Sequence, residues 1–544
     1  PPPPPPSSHD PSTPPRPPSH ARSRTASPIP PMASKPSPLA ARQHEADDPE
    51  LLARIPHLSK DDLPVVADAI ATDFALSGTV PVLLHEQPTN GIAYADIAVP
   101  VDSLSPEEYP LLPFFASVLT GVGLDGLSWV EASALSARYT GGLGTMLVTS
   151  SIVPFTPNVS ALGPDSIGRD YIIMRVKMLA EYVDDAFAIA FRFLCHADFS
   201  DRKRLVDLLL EYRNDLDSSL APAGHQYAVS RAGAMTGRSR AVDEIWNGLS
   251  QVRYVRDLAS SAKSSSFASS LAARLDSIRS RLLSAGMLVN LTGTREILDS
   301  MLASLTRYTA SFTAPVVRPR HDDENDSLFK LVTHSEGDAT TAAQRSGQSV
   351  RELIAARLQV GFAAAVLPSP PYGTPDQPVD IVFGHWLANG LLWEKVRTTG
   401  GAYGVFAYPD SLEDIFVLST YRDPSPCDSL EVFRASLEYA AENPVDPVSL
   451  EKTITGCYSR EIQPRSPSDK GFTAFIRVLY GISDEVRKAK IARIVSVSPE
   501  DMTRCARRLL ADWPKVREAV LAGKKMLKTA GKEDFSGNVI RSTI

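Results

Sequence analysis

The densest candidate for chemistry is the stretch Leu392-Trp393-Glu394-Lys395-Val396-Arg397-Thr398-Thr399-Gly400-Gly401-Ala402-Tyr403-Gly404. Arginine is a permanent cation with a planar fork of donors, and tyrosine adds a neutral O–H donor. Side by side they suit a peptide carbonyl, or the oxyanion that develops when that carbonyl is attacked. The spacing predicts a helix ending near Arg397. Gly400 and Gly401 then permit a sharp turn with unusual backbone angles, and Tyr403 begins a strand. This geometry can aim Arg397 and the Tyr403 hydroxyl at one point. The same two residue types also serve as a structural arginine and a core tyrosine, and chemistry alone leaves both readings open.

The other candidates are weaker. Gly121-Val122-Gly123-Leu124-Asp125-Gly126 has the spacing of a dinucleotide loop. Such a loop needs a strand before it and a helix after it, whereas here a helix precedes it, so an inter-helix turn is expected. Metal ligands cluster, but the ten histidines are scattered and neither His-x-x-Glu-His nor its inverse occurs. His85-Glu86 and His196-Ala197-Asp198 read as surface or capping residues. No Gly-x-Ser-x-Gly elbow supports a serine hydrolase. Sequons at Asn158, Asn290 and Asn325 carry little weight without a secretory signal. Cys195, Cys427, Cys457 and Cys505 form no Cys-x-x-Cys pair, so buried free thiols and a reducing compartment are expected.

These residues must be positioned by a mixture of strands and helices. Ile92 to Val101, Leu143 to Val153 and Tyr171 to Met178 read as strands. Ser105 caps a helix running to about Thr120, and Trp129 to Tyr139, Val183 to Leu194, Asp201 to Leu220 and Val242 to Leu283 read as helical. Further on, Leu328 to Val332, Leu358 to Leu367, Tyr403 to Tyr408 and Ile415 to Tyr421 read as strands. Gly384 to Val396, Leu430 to Glu442, Pro447 to Tyr458, Asp469 to Tyr480, Asp484 to Val495 and Pro499 to Trp513 read as helices. Two successive mixed units with antiparallel-type strands make an α+β class. The expected limits are 1–45 for a Pro/Ser-rich segment, 46–320 for a first domain with long helices, and 321–544 for a second, starting after Arg318-Pro319-Arg320.

The formal charge of -7 is spread along the chain and gives no basic surface for nucleic acid. No apolar run reaches the ~18 residues of a membrane span; Arg192 interrupts the longest, around Phe187 to Cys195. The first segment, with Arg16, Arg22, Arg24 and Arg42 among its prolines, is too polar to fold and is expected to be disordered. Its arginines and scarce acids resemble a transit signal, but so much proline opposes the amphipathic helix of such signals, and Met32 offers an internal start. The chain opens on proline, so a fragment or a trimmed start is expected.

The Arg397–Tyr403 stretch resembles the Arg–Tyr segment in the last domain of presequence proteases, a branch of the pitrilysin-like zinc metallopeptidases. Other motifs follow in family order: Asp48-Pro49-Glu50 with Ile55-Pro56, His85 through Ile92, Gly224-His225-Gln226-Tyr227-Ala228 with Arg231, Ser419 through Pro424, and Asp469-Lys470-Gly471-Phe472. The resemblance covers residues 46 to about 520. It implies one half of a clamshell around a chamber for unfolded peptides. Arg397 and Tyr403 would hold the substrate backbone and stabilise the tetrahedral intermediate, with Gly400, Gly401 and Ala402 lining the substrate. Zinc would come with a missing N-terminal half bearing His-x-x-Glu-His, on the same full-length chain or a separate subunit. No metal is expected on this chain, which alone would be inactive. His225 is expected to be scaffold. The alternative is a non-catalytic peptide-binding or structural subunit. By family the compartment is the mitochondrial matrix or another organelle.

Overall fold

The computed structural model describes residues 42, 48–52, 54–56, 58–153, 168–315, 322–333, 349–529 and 538–544. The N-terminal Pro/Ser-rich readings up to Met32, the Asn158 sequon and the Arg318-Pro319-Arg320 boundary lie outside the described residues. Two compact units are present, Pro1–His57 and Leu58–Ile544. In the first, Pro49–Leu52 forms one helical turn.

The second unit holds two six-stranded sheets. Its strands begin with β1 (Asp73–Ser77), β2 (Val80–Glu86), β3 (Ile92–Pro100), β4 (Gly123–Leu124), β5 (Gly142–Val148), β6 (Tyr171–Leu179), β7 (Ala197–Asp198) and β8 (Leu288–Gly293). The first sheet has the order β1-β2-β8-β3-β6-β5, antiparallel except for the β2–β8 pair. The later strands are β9 (Val350–Ala356), β10 (Phe362–Pro368), β11 (Gly404–Asp410), β12 (Ile415–Tyr421), β13 (Arg517–Gly523) and β14 (Asn538–Thr543). They order as β11-β12-β10-β13-β9-β14, with β9 parallel to both its neighbours. β4 and β7 make a two-residue ribbon. The Gly121–Gly126 run therefore enters this ribbon and is not a plain inter-helix turn; a Cβ on Gly123 would lie 2.6 Å from the Leu127 carbonyl oxygen.

Local signals account for most helix starts. The Ser128 side chain accepts from the Glu131 N–H while Glu131 reaches back, a capping box that opens Trp129–Tyr139. Ser105 and Glu108 make another, but Pro110 lacks an N–H, so Pro106–Leu111 winds as a 3-10 helix before Leu112–Val118 continues as α. Three expectations are corrected. Leu328 to Val332 is the end of the helix Asp322–Val332, whose Leu328 and Val332 are buried one turn apart. The long pattern Val242 to Leu283 is interrupted at Gly248 and at Ser261–Lys263. Gly384 to Val396 is not one helix: Gln377–Asn389 stops at Gly390, and a separate turn follows.

Each sheet is covered on one face by helices from its own part of the chain and on the other by a helix from the opposite part. Leu83, Ala98, Tyr171, Ile173 and Leu288 of the first sheet pack beneath Phe475, Leu479 and Tyr480 of the helix Pro467–Tyr480. Ile354, Phe362, Ala364, Val366, Val417, Ala519 and Leu521 of the second sheet pack beneath Tyr227, Ala228 and Ala232 of the helix Gly224–Gly233. The approaches are tight. A Cβ on Gly471 would lie 1.8 Å from Thr292 Oγ1, and one on Gly224 would lie 2.3 Å from the Phe362 ring. Because both faces are apolar, the central strands read as continuous hydrophobic runs without alternation.

A buried ionic network pins the second seam. Arg231 donates to Glu352 at 2.6 Å and to the Val332 carbonyl at 2.5 Å, and sits 3.7 Å from Glu244. Ser542 of β14 donates to the other Glu352 oxygen at 2.8 Å. Desolvation raises the Glu244 carboxyl. Desolvation also acts on Glu352, yet Arg231 beside it holds that carboxyl below its ordinary value.

Candidate functional site

The turn carrying Arg397 is wound wider than an α-helix. Trp393–Thr399 is a π-helix, and Gly400 N–H donates to the Lys395 carbonyl five residues back at 3.0 Å. Such turns are rare and occur often at functional sites. Both glycines are needed. Gly401 has φ +80°, while Gly400 has an ordinary φ of -78° but no room, since a Cβ there would lie 2.7 Å from the Val396 carbonyl oxygen.

This bend brings Arg397 and Tyr403 together at the surface. The Arg397 guanidinium carbon lies 5.7 Å from the Tyr403 ring centre and 3.9 Å above the Trp393 ring. Tyr403 is 66% exposed. The arginine is thus held by aromatic faces and leaves its N–H fork for an acceptor. Gly400 and Gly401 are exposed, whereas the Ala402 methyl is buried in the core, so Ala402 offers only its backbone.

Sequence reasoning missed the rings that continue from this pair. Tyr403 meets Tyr421 edge-on at 5.8 Å, Tyr421 meets His225 edge-on at 5.0 Å, and His225 stacks on Phe406 at 5.4 Å. Ring contacts between residues so far apart in the chain leave no pattern in linear order. His225 stands in the first turn of the helix Gly224–Gly233, half-buried, and desolvation lowers its pKa by disfavouring the charged ring. Arg422 has φ 49° and places its guanidinium 5.3 Å from the Tyr421 ring. Asp423 is buried, accepts from Ser425 N–H and Ser429 Oγ, and locks the end of β12.

The remaining motif residues serve the scaffold. His85 is not a surface residue: it is fully buried, with Nδ1 3.2 Å from the Ala71 carbonyl. Its neighbour Glu86 is exposed and pairs with Arg295 at 2.9 Å. His196 faces Asp125 at 3.2 Å, and Asp198 accepts from Ser200. Asn290 is buried in β8 and donates to Asp96, so its sequon is inaccessible in the folded chain. Asp469 caps its own helix with Ser466, and Phe472 lies under Arg175 at 3.7 Å. All four cysteines are free, three of them buried. Among the described residues no three His, Cys, Asp or Glu side chains group as metal ligands, and no helix is long and apolar enough to cross a membrane.

Comparison with known proteins agrees with this architecture. Residues 32–258 match the family model of the associated domain of M16 peptidases of subfamily C, and residues 371–521 match "PreP C-terminal domain". Presequence protease 1, chloroplastic/mitochondrial, of Arabidopsis thaliana is 28% identical over 85% of this chain and 40% of its own length. The mitochondrial presequence protease of Danio rerio is 23% identical over 84% of this chain and 43% of its own length. That of Saccharomyces cerevisiae is 26% identical over 87% and 45%. The chain therefore spans less than half the length of these relatives. A solved Pseudomonas fluorescens structure titled as a peptidase M16 inactive domain shares the fold, with TM-score 0.55, 11% identity and coverage of 84% of this chain and 98% of its own. A conserved Enterococcus faecalis protein does so with TM-score 0.59, 11% identity and coverage of 83% and 99%. With two family regions in order and relatives aligned over most of its length, the chain belongs with the C-terminal half of the presequence-protease-like M16 peptidases.

Proposed function

We propose that this chain closes the chamber of a zinc metalloendopeptidase that degrades unfolded peptides, and that Arg397 and Tyr403 contact the substrate backbone there. One observation carries the reading. A guanidinium lying 3.9 Å over the Trp393 ring and 5.7 Å from the ring of the exposed Tyr403 stands on a rare turn that two glycines make possible. Two preorganised donors of this kind fit a carbonyl oxygen, and serve it better as charge builds on it. The backbone of Gly400, Gly401 and Ala402 would lie along the bound chain.

The described residues do not fit a zinc ion, so in this reading the metal belongs to an N-terminal partner half, whether fused or separate. This chain's residues then orient the scissile carbonyl and steady the oxyanion. The organelle names of the relatives support a mitochondrial or plastid setting.

The test is turnover of an unfolded peptide after reconstitution with a zinc-bearing half. Arg397→Ala should lower kcat/KM by about 10²–10³ with an unchanged melting temperature, and Tyr403→Phe by about tenfold. Full activity of Arg397→Ala removes the proposed role. A second reading, a non-catalytic peptide-binding or structural subunit, is favoured by the inactive-domain title of one fold relative. It predicts stable peptide capture with no zinc-bearing partner recovered by pull-down.

A further inference from the structure

The first sheet carries a polar pocket that the Arg397 surface does not use. Side chains alternate across a sheet, so Asp96 and Tyr94 of β3, with Arg175 and Lys177 of β6, continue the face whose Ala98 and Ile173 pack beneath the helix Pro467–Tyr480. Asp96 pairs with Arg175 and Tyr94 with Lys177, and the same two β6 residues pair on their other side with Gly144 and Gly142 of β5. These rows therefore end without side chains: a Cβ on either glycine would meet nothing within 4 Å. A cavity of about 380 Å³ opens there, lined by Tyr94, Gly142, Gly144, Arg175, Lys177 and Ser468 among others.

The charges around this cavity are unevenly matched. Asp96 is buried and accepts from Arg175 Nε at 2.6 Å and from Asn290 at 2.8 Å, so its carboxylate is engaged within the sheet. That bond fixes one edge of the guanidinium, and the Phe472 ring, 3.7 Å away, covers one face. The Arg175 Nη1 and Nη2 groups donate to no acceptor among the described residues. Lys177 is exposed and pairs with no carboxylate among them. Its stem runs beside Gly141, where a Cβ would lie 3.5 Å from Cγ and Cδ. Two cations with open donors above a glycine floor suit an anionic group. A planar fork beside an ammonium matches the two oxygens of a carboxylate.

We propose that this pocket is a carboxylate subsite for a bound peptide. Arg175 Nη1 and Nη2 and the Lys177 ammonium donate to the two oxygens, and Gly142 and Gly144 leave the room. A chain-terminal carboxylate and an aspartate or glutamate side chain offer this same chemistry. The inference rests on the peptide-handling reading of the chain, and it adds a second contact, on the other sheet, with a charge preference.

Fluorescence anisotropy with the full chain tests it, separately from turnover. The probe is an octapeptide of glycine, serine and valine with an uncharged BODIPY dye on its N-terminus. It is made as the free acid, as the C-terminal amide, and as the amide with one internal glutamate. The free acid should bind at least tenfold more tightly than the plain amide. Recovery of affinity by the glutamate peptide extends the subsite to side chains, and no recovery restricts it to chain ends. Lys177→Gln, at an exposed position, should cost the free acid about tenfold and the plain amide less than twofold. Gly144→Val adds a side chain that the folded chain has space for, fills the cavity, and should act in the same way. Equal affinity of the three peptides, or no binding at all, overturns the proposal. So does a preference that survives both substitutions. Inorganic phosphate displacing the free acid at a lower concentration than acetate does overturns the carboxylate assignment. If the preference is absent while Arg397→Ala still lowers turnover, only this subsite is lost. If the preference holds and Arg397→Ala keeps full turnover, only the role given to Arg397 is lost.

Discussion

Gly400 and Gly401 serve one bend for different reasons, and substitution separates them. Gly401→Ala puts a side chain at φ +80°, which costs about 1–2 kcal/mol in a urea melt. Gly400→Ala keeps a common φ but drives a methyl against the Val396 carbonyl, so the π-helix must rewind and carry Arg397 with it. The expected signature is a fall in turnover larger than the fall in stability accounts for. Asp410 gives a pH test at the same scale. Its folded pKa is about 6 against an ordinary 3.8, so the native state keeps a proton that the unfolded chain releases. Stability therefore falls as pH climbs between these values. Asp410→Asn should raise the melting temperature above that window and lose its advantage as pH drops toward the lower value. A pH-independent difference would contradict the assignment.

At the scale of the element, the helix Pro467–Tyr480 is fitted to the first sheet through Gly471. Gly471→Ala should cost about 1–3 kcal/mol, and Thr292→Ala in the same molecule should recover part of it, as a double-mutant cycle in thermal melts would show. Elements with local chemistry were legible in the sequence. The Ser128–Glu131 box marks the start of Trp129–Tyr139, and Pro447 and Pro499 mark helix starts because proline at the first turn forfeits only an unneeded donor. Ile415–Tyr421 was legible from its β-rich run and the Arg422-Asp423-Pro424 stop. β2, β8, β9 and β13 were not, since strands buried on both faces carry no period of two. The π-helix was also hidden: nothing in Trp393–Thr399 separates a wide turn from an α-turn until Gly400 meets the Val396 carbonyl. At the candidate site the Arg–Gly-Gly–Tyr pattern was visible, while the His225 contribution came from chain far away in sequence.

At the scale of the whole molecule, the Arg231 network joins elements from both parts of the chain. Arg231→Met strands Glu352 and Glu244 in a dry site and should cost about 3–5 kcal/mol by chemical denaturation. A variant that also replaces both acids with Gln should recover much of that loss. The crossed packing of the two sheets has a consequence for synthesis. β8 completes the first sheet early, yet its outer face stays bare until Pro467–Tyr480 leaves the ribosome. Between the synthesis of Gly293 and that of Tyr480 the nascent chain must carry an open greasy surface, which makes it a natural client for a chaperone and unable to fold piece by piece.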